Sequence, residues 1–481
     1  MTAGIADWIA DTVPVEIFVP EEHAAWRPLI RDAFQFIFSH LSQERFAPKI
    51  AEQMQLPATT PPEKRLIRLI SKMPGLQKMG QVLARNRRLA PALRDALTEL
   101  ENGMCDVSAE EIRSVIEEQL GTRIHEFGVS MEPAIYKEGT ASAILRFTWR
   151  HPHRERERGA FKVLKPHVPR CFAEDMTLLE ALARFLAGKN RGYGFAVRDL
   201  KETLTEVRLL LEHELDFRRE QATLQEARGT YRSSFGIRIP RPIPPLCTGG
   251  ITAMTAEDGV KVTEASRRSP IRRDRIAGQL IEALVAVPLF SREKQAVFHG
   301  DPHAGNLLYD EANRELVVLD WALADRLSIH ARRYLVMLAL MMLLRNPRGV
   351  AEAIRALSRR DRHGRMASSR LIENHVNRFF DALPEDVAPG VLDAMALLDQ
   401  IALQGVRFPA ALFLFRKSLF TLDGVLVDVA GPDIRMDRVV TNLFLARWAA
   451  SLGFFHAPLE WKDFGAVGWH ALRSASCART P

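Results

Sequence analysis

The sequence predicts an α+β protein with a small β-containing lobe, a larger helical lobe and a helical extension in front of them. Three observations lead to this prediction. The first part is helical and contains a capping-box pattern, Ser108 with Glu111, which opens a helix ending near Gly121. Two short segments rich in β-forming residues follow, 141–149 and 159–164, with a hairpin loop predicted between them. The chain beyond them is again mainly helical, and we expect two further strands there, Ile251–Thr255 and one just before Asp320.

Length and composition fit a folded protein of several domains. The chain has 481 residues, and at roughly 100–200 residues per domain this predicts two to four domains. Hydrophobic residues make up 47% and charged residues 26%, the profile of a globular protein. We predict an N-terminal extension over 1–121, a small lobe over 122–256, a helical lobe over 257–435 and a helical tail over 436–481.

The net charge and the lengths of the apolar runs limit the kinds of partner and of membrane contact that we expect for the chain. The net charge of +7 is compatible with an anionic membrane face or phosphate-rich ligands, and it is too diffuse to indicate a nucleic-acid partner. The four cysteines form no CxxC pair, which fits a reducing cytoplasm. The apolar run 335–344 is too short to span a bilayer, and the run 439–455 is interrupted by Asn442 and Arg447. We therefore expect a cytoplasmic protein whose membrane contact, at the inner face, is peripheral.

The motif with the clearest chemistry is His299-Gly-Asp-Pro-His-Ala-Gly-Asn306, followed by the apolar residues 317–319 and Asp320. An aspartate on a catalytic loop, here Asp301, can orient and deprotonate an acceptor hydroxyl during phosphoryl transfer. Asn306 and Asp320 offer a neutral and an anionic hard oxygen to Mg²⁺. The order His-x-Asp, then Asn, then a strand ending in Asp is the order of kinase catalytic and metal loops, and His299 would hold the loop by hydrogen bonds.

A kinase-like site also needs a lysine on an N-terminal sheet, paired with a helix carboxylate. Lys162 lies in an apolar strand segment, where a lysine without a partner is costly. The carboxylate is expected from the helical segment after it, where Glu214, Asp216 and Glu220 are all candidates. A solvated helix face is the alternative for at least one of these three.

At this point the chain resembles the UbiB-like (AarF-type) atypical kinase family, which has a protein-kinase-like fold and is associated with coenzyme Q biosynthesis. The segments that resemble the family's motifs are Lys78-Met-Gly-Gln81, Phe161–Pro166, Glu214–Glu220, His299–Asn306 with Asp320, and Phe408–Gly424. The resemblance covers about 70–435.

The resemblance implies roles for several residues. Members bind ATP and magnesium, and their chemistry tends toward ATP hydrolysis or small-molecule and lipid substrates in isoprenoid quinone pathways at membranes. Lys78, Gly80 and Gln81 belong to the extension that would lie over the site and block protein substrates. Glu214 and Asp216 would hold that extension near the nucleotide, and Glu220 would pair with Lys162.

Two loops depart from the family pattern. Where the family has an alanine-rich stretch, this chain has Glu138-Gly-Thr-Ala-Ser-Ala-Ile-Leu145. Backbone amides of such a loop contact phosphates, so Gly139, Ala141 and Ser142 are expected at the nucleotide, and the altered sequence leaves ATP and ADP both open. The metal loop contains Asp320-Trp-Ala in place of Asp-Phe-Gly. These departures, and the lack of a spanning tail, indicate a divergent branch.

The adenine contact and the substrate class depend on weaker signals. Met254–Glu257 follows a short predicted strand and would form the hinge whose backbone contacts adenine. The same loop motifs occur in aminoglycoside- and choline-type kinases, although those lack the segments near Lys78 and Glu214. A pseudokinase scaffold that binds nucleotide and regulates a partner is a third reading, which retention of Asp301 argues against.

Overall fold

A computed structural model describes most of the chain. The described residues are 13, 24, 27–77, 106–151, 154–188, 208, 212–213, 215–359, 368–384, 389–431, 434, 436, 439–443 and 458–465. The chain divides into two compact units. Unit one comprises Met1–Gln221 and Pro242–Ala256, and unit two comprises Ala222–Arg241 and Glu257–Pro481.

The helices and strands, numbered in chain order, are as follows. The helices are α1 (Arg27–His40), α2 (Gln43–Gln55), α3 (Pro62–Ile70), α4 (Ala109–Leu120), α5 (Arg123–Glu126), α6 (Val168–Gly188), α7 (Phe217–Thr230), α8 (Val262–Ala265), α9 (Pro270–Ile281), α10 (Val287–Leu289), α11 (Ile329–Leu343), α12 (Pro347–Leu357), α13 (Ser369–Asp381), α14 (Val391–Leu403) and α15 (Ala410–Ala430). The strands are β1 (Ser130–Glu138), β2 (Ser142–His151), β3 (Arg154–Leu164), β4 (Ile237–Arg238), β5 (Ile251–Thr255), β6 (Val260–Lys261), β7 (Gln295–His299), β8 (Leu307–Asp310), β9 (Glu315–Val318) and β10 (Ala324–Ser328). A π-helical turn, Glu282–Ala286, joins α9 to α10.

Unit one has a helical part and a sheet. In the helical part, α1, α2, α3 and α6 share a core that includes Phe38, Leu69 and Leu182. The sheet is antiparallel with strand order β1-β2-β3-β5, and its buried face packs against α4 through Ile112 and Ile116. Strand β3 lies between β2 and β5, so its backbone is paired on both edges.

The predicted start and end of α4 are confirmed. The Ser108 hydroxyl accepts the Glu111 backbone N–H at 3.1 Å, and the Glu111 carboxylate accepts the Ser108 N–H at 2.7 Å. This reciprocal cap satisfies two backbone donors that a helix start leaves unpaired. Gly121 ends the helix at a φ of 52°, a conformation that glycine adopts without steric cost.

The hairpin loop predicted over 150–158 is wrong in length. Strand β2 continues to His151 and β3 begins at Arg154, with Trp149 paired to Glu157. The alternating Arg and Glu of this stretch indicated a solvated loop. Strand pairing, however, depends on backbone hydrogen bonds, which a polar ribbon forms as readily as an apolar one.

Unit two combines helices with two small sheets. One sheet has the order β4-β9-β8-β6, and the other pairs β10 with β7. The sequence predicted a single strand in this region, so the prediction missed β7, β8 and β10, each only four or five residues long. Segments this short give little periodic signal, and they are defined by their partners.

The apolar run 335–344 lies in α11 and its C-terminal cap, where Leu335, Leu338 and Met342 are buried. Among the described residues, no helix combines the length and apolar character that crossing a bilayer requires. Most of the run 439–455 lies outside the described residues. The α+β architecture with N-terminal helices is confirmed.

Candidate active site

The loop after β7 is held by the imidazole of His299. Its Nδ1 accepts the Asp301 backbone N–H at 3.2 Å, and its Nε2 lies 2.9 Å from the Leu319 carbonyl oxygen. These contacts assign the proton to Nε2, which donates to Leu319. Burial lowers the pKa of His299, so the ring is neutral at physiological pH. His299 therefore joins the catalytic loop to the end of the strand that precedes Asp320.

Asn306 and Asp320 lie at the same end of the β8–β9 ladder. Leu307 pairs with Val318, and the Leu319 N–H donates to the Asn306 carbonyl oxygen at 2.8 Å. The Asn306 side-chain nitrogen donates to the Asp301 carbonyl at 3.3 Å, which orients its amide. The residue next to Leu319 is Asp320, so the backbone brings Asn306 and Asp320 to the same end of this ladder.

Asp320 has a left-handed backbone, with a φ of 52°. Such a conformation is uncommon outside glycine, although aspartate tolerates it better than most residues, and strained positions cluster at functional sites. Its carboxylate accepts the Ala322 N–H at 3.3 Å. An aspartate and an asparagine oxygen are the hard donors that Mg²⁺ takes together with water and phosphate oxygens, so these two residues fit that ion.

Gly300 is required by close packing. A Cβ at this position would lie 2.6 Å from the Leu323 carbonyl oxygen and 3.0 Å from the side chain of Leu414. The Gly300 N–H donates to that same carbonyl. The loop thus turns against β10 and α15 at a point where only glycine fits.

Two α15 residues contact the catalytic loop. The Ser418 hydroxyl donates to the His299 carbonyl at 2.7 Å, and the Lys417 Nζ lies 3.5 Å from the Asp301 Oδ1. Neither residue was predicted to contact this loop, because more than a hundred positions separate them from it along the chain. Only the packing of α15 brings them there.

In unit one, Lys162 lies on the central strand β3 and pairs with Glu220. The distance from Nζ to the Glu220 Oε1 is 2.8 Å, and the two residues are 7% and 3% exposed. Asp216, another candidate partner, is exposed and accepts the Arg219 N–H at 3.0 Å, which caps the start of α7. Of the candidates Asp216 and Glu220, it is therefore Glu220 that pairs with Lys162.

The predicted phosphate loop is the turn between β1 and β2. The Gly139 N–H donates to the Ser142 carbonyl at 2.8 Å, and the Lys165 N–H donates to the Ala141 carbonyl at 3.0 Å. Glu138, which ends β1, lies 2.7 Å from the Lys165 Nζ. The turn is thus tied to the end of β3 by both backbone and side-chain contacts.

Of the remaining predicted site residues, Met254 and Glu257 are described by the structure, and four others are not. Met254 pairs with Ala160 within β5 and β3, and the chain passes from unit one to unit two just before Glu257. The Glu257 carboxylate is 2.8 Å from the guanidinium of Arg238. The predicted residues that lie outside the described part of the chain are Lys78, Gly80, Gln81 and Glu214.

A buried ion cluster was not predicted. Lys165 is fully buried, and its Nζ lies 2.6 Å from an Asp106 oxygen and 2.7 Å from a Glu138 oxygen. The Asp106 N–H also donates to Glu138 at 2.8 Å. The sequence shows that Lys165 follows Lys162 by three positions, but it does not show which residues pair with Lys165. The two partners of Lys165 lie 59 and 27 positions away along the chain.

These features define a kinase-like protein. Residues 99–354 match the model of the ABC1 atypical kinase-like domain. This match covers more than half of the chain, and the chain belongs to that family. The family predicted from the sequence motifs is therefore confirmed.

Relatives with names from this family align over much of the chain. A protein of Arabidopsis thaliana named Activity of bc1 complex kinase 7, chloroplastic, is 24% identical over 73% of this chain and 50% of its own length. A probable protein kinase UbiB of Glaesserella parasuis is 26% identical over 54% of this chain and 47% of its own length. The chain thus spans about half the length of these relatives. A solved structure of Rv3197 with erythromycin, from Mycobacterium tuberculosis, aligns over 80% of this chain and 94% of that chain, with 17% identity and a TM-score of 0.48.

Proposed function

We propose that the chain binds Mg-ATP and transfers the γ-phosphoryl group to a small-molecule or lipid-linked acceptor, or to water. The main support is the backbone bond between Leu319 and Asn306, because it sets Asn306 beside Asp320 at the end of the loop that contains Asp301. An asparagine, an aspartate and a loop aspartate in this arrangement are the parts that kinase phosphotransfer requires.

Each residue has a distinct part in this proposal. Asn306 and Asp320 hold Mg²⁺, which neutralises charge on the phosphates when bound. Asp301 orients the acceptor oxygen and takes its proton. Lys162 contacts the α- and β-phosphates, and Glu220 fixes the lysine side chain in place. ADP is the alternative nucleotide, because the turn at Gly139, Ala141 and Ser142 departs from the family pattern.

The acceptor class rests on the resemblance rather than on the site. The segment Lys78–Gln81 resembles the family extension that excludes protein substrates, which favours a small or lipid-linked acceptor in an isoprenoid quinone pathway. The net charge of +7 is compatible with peripheral contact with an anionic membrane. The relative from Glaesserella parasuis is named a probable protein kinase, so phosphorylation of a protein is the contrasting outcome.

Magnesium-dependent nucleotide binding tests the proposal directly. We expect calorimetric titration of the intact chain to show ATP binding that strengthens with Mg²⁺. Asp320→Asn removes the anionic ligand and should weaken Mg-ATP binding at least about tenfold, or about 1.4 kcal/mol.

The matched control is Asp428→Asn, which removes an exposed carboxylate from α15 and should leave binding unchanged. Equal Mg-ATP affinity in wild type and Asp320→Asn would refute the metal role of Asp320. Nucleotide binding without any turnover would instead identify a nucleotide-binding scaffold.

A further inference from the structure

The position of α15 against the catalytic loop is fixed by several contacts. Phe415 packs edge-on against Phe298 of β7, with ring centroids 5.2 Å apart. Ser418 is 1% exposed, and its hydroxyl donates a hydrogen bond to the His299 carbonyl. Because 415 and 418 lie on one face of the helix, this face is held in register with the loop.

Lys417, the residue before Ser418, extends to Asp301. The Lys417 Nζ is 3.5 Å from the Asp301 Oδ1, and the two side chains are 23% and 11% exposed. The ammonium group is thus partly open to solvent and next to the carboxylate proposed to receive the acceptor's proton. A lysine has a flexible stem, so the ammonium can move by an ångström or two without disturbing α15.

The catalytic loop itself contains no permanent cation. Between His299 and Asn306 the chain has neither lysine nor arginine. The imidazole of His303 accepts the Gly305 N–H on Nδ1 at 3.1 Å, and an accepting nitrogen belongs to a neutral ring. Phosphoryl transfer places negative charge on the equatorial oxygens, and a positive side chain that meets this charge accelerates the reaction.

We propose that Lys417 is a catalytic residue that donates a hydrogen bond to the phosphoryl group during its transfer. This inference rests on the proposed function. In the transfer step, the acceptor oxygen forms a bond to the γ-phosphorus while the bond to the β,γ-bridging oxygen breaks. The electron pair of that bond leaves with ADP, and the acceptor's proton passes to Asp301. Lys417 stays protonated and moves from the Asp301 carboxylate toward a non-bridging oxygen.

The first test is turnover by Lys417→Met, which keeps the length of the side chain and removes its charge. We expect kcat for ATP hydrolysis to fall about 10²–10³-fold, the size seen when one donor to a developing anion is removed. The KM for ATP should change little, because the contact forms during transfer. Lys417→Arg should recover part of kcat, since the charge remains.

The second test measures the same contact through ligand affinity, without turnover. ADP with Mg²⁺ and aluminium fluoride mimics the phosphoryl group in transfer, and such analogues bind more tightly than ground-state ligands. We expect Lys417→Met to lose affinity for this mixture while its affinity for Mg-ADP stays at the wild-type value. A role confined to packing would lower thermal stability and affect both ligands alike.

The outcomes separate the inference from the proposed function. Asp428→Asn, on the exposed side of α15, should behave as wild type in both tests. If wild type hydrolyses ATP and Lys417→Met does so equally well, the inference is wrong and the proposed function stands. If wild type binds no nucleotide, both fail. If wild type binds Mg-ADP with no gain from aluminium fluoride, the catalytic role of Lys417 is overturned.

Discussion

Two buried lysines three positions apart contrast two uses of the same side chain. Lys162 pairs with the carboxylate of Glu220 at 2.8 Å, and it retains 7% exposure. Lys165 has two partners, Asp106 and Glu138, and no exposure at all. Both satisfy the rule that a buried charge must be paired.

The difference in exposure between the two lysines indicates that they have different roles. Lys165 is enclosed by two carboxylates, and its cluster joins the segment before α4 to the end of β1 and of β3. Lys165 is fully buried, so we interpret it as a structural tie. Lys162 keeps a narrow exposure on the central strand, so a phosphate can share its ammonium group with Glu220. The two lysines should therefore respond in opposite ways to replacement.

The largest expected effect is on stability, at Lys165. Lys165→Met leaves Asp106 and Glu138 buried without their cation, and breaking a buried ion pair in this way costs about 3–5 kcal/mol. Urea unfolding followed by circular dichroism measures the loss. The control Lys261→Met removes an exposed lysine and should change the free energy of unfolding by less than about 0.5 kcal/mol. Similar losses of unfolding free energy in both variants would contradict a structural role for Lys165.

The next effect is on turnover, at Lys162. Lys162→Met should lower ATP hydrolysis by about 10²-fold or more, because a cation at the phosphates is lost. Its free energy of unfolding should fall by less than that of Lys165→Met, since Lys162 retains 7% exposure whereas Lys165 is fully buried between two carboxylates. Steady-state hydrolysis and urea unfolding on the same preparation make the comparison. An unfolding loss as large as that of Lys165→Met would show that Lys162 is structural.

The smallest effect is the pH dependence of stability near the Lys165 cluster. Burial, and then the charge of Lys165, lowers the pKa of His167 from 6.5 to about 4. Between these values the unfolded chain binds more protons than the folded one, so the free energy of unfolding rises with pH. The slope is at most about 1.4 kcal/mol per pH unit. Urea titrations from pH 4 to 7 should show this slope reduced in His167→Gln, and an unchanged slope would assign it to other groups.

Residues whose chemistry is encoded in short motifs could be predicted from the sequence. His299, Asp301, Asn306 and Asp320 are near in sequence or follow a strand, and the spacing predicted the loop and strand that contain them. The Ser108–Glu111 cap was predictable for the same reason, because both partners lie within one helical turn.

Features that depend on distant contacts could not be predicted. Lys417 approaches Asp301 only through the packing of α15, and Asp106 reaches Lys165 across 59 positions. The polar ends of β2 and β3 resembled a loop because strand pairing leaves no apolar signal there. The four short strands β7 to β10 of unit two were predicted as one for a related reason, since each is specified by its neighbour.

We propose that the chain is a magnesium-dependent phosphotransferase or ATPase whose chemistry uses Asp301. Phosphate release from ATP by the purified chain tests it most directly, measured with Mg²⁺, with and without anionic liposomes, in wild type and Asp301→Asn. We predict release by wild type that requires Mg²⁺, rises with liposomes and is lost in the variant. Release that persists unchanged in Asp301→Asn, or no Mg²⁺-dependent release from wild type under either condition, would contradict the claim.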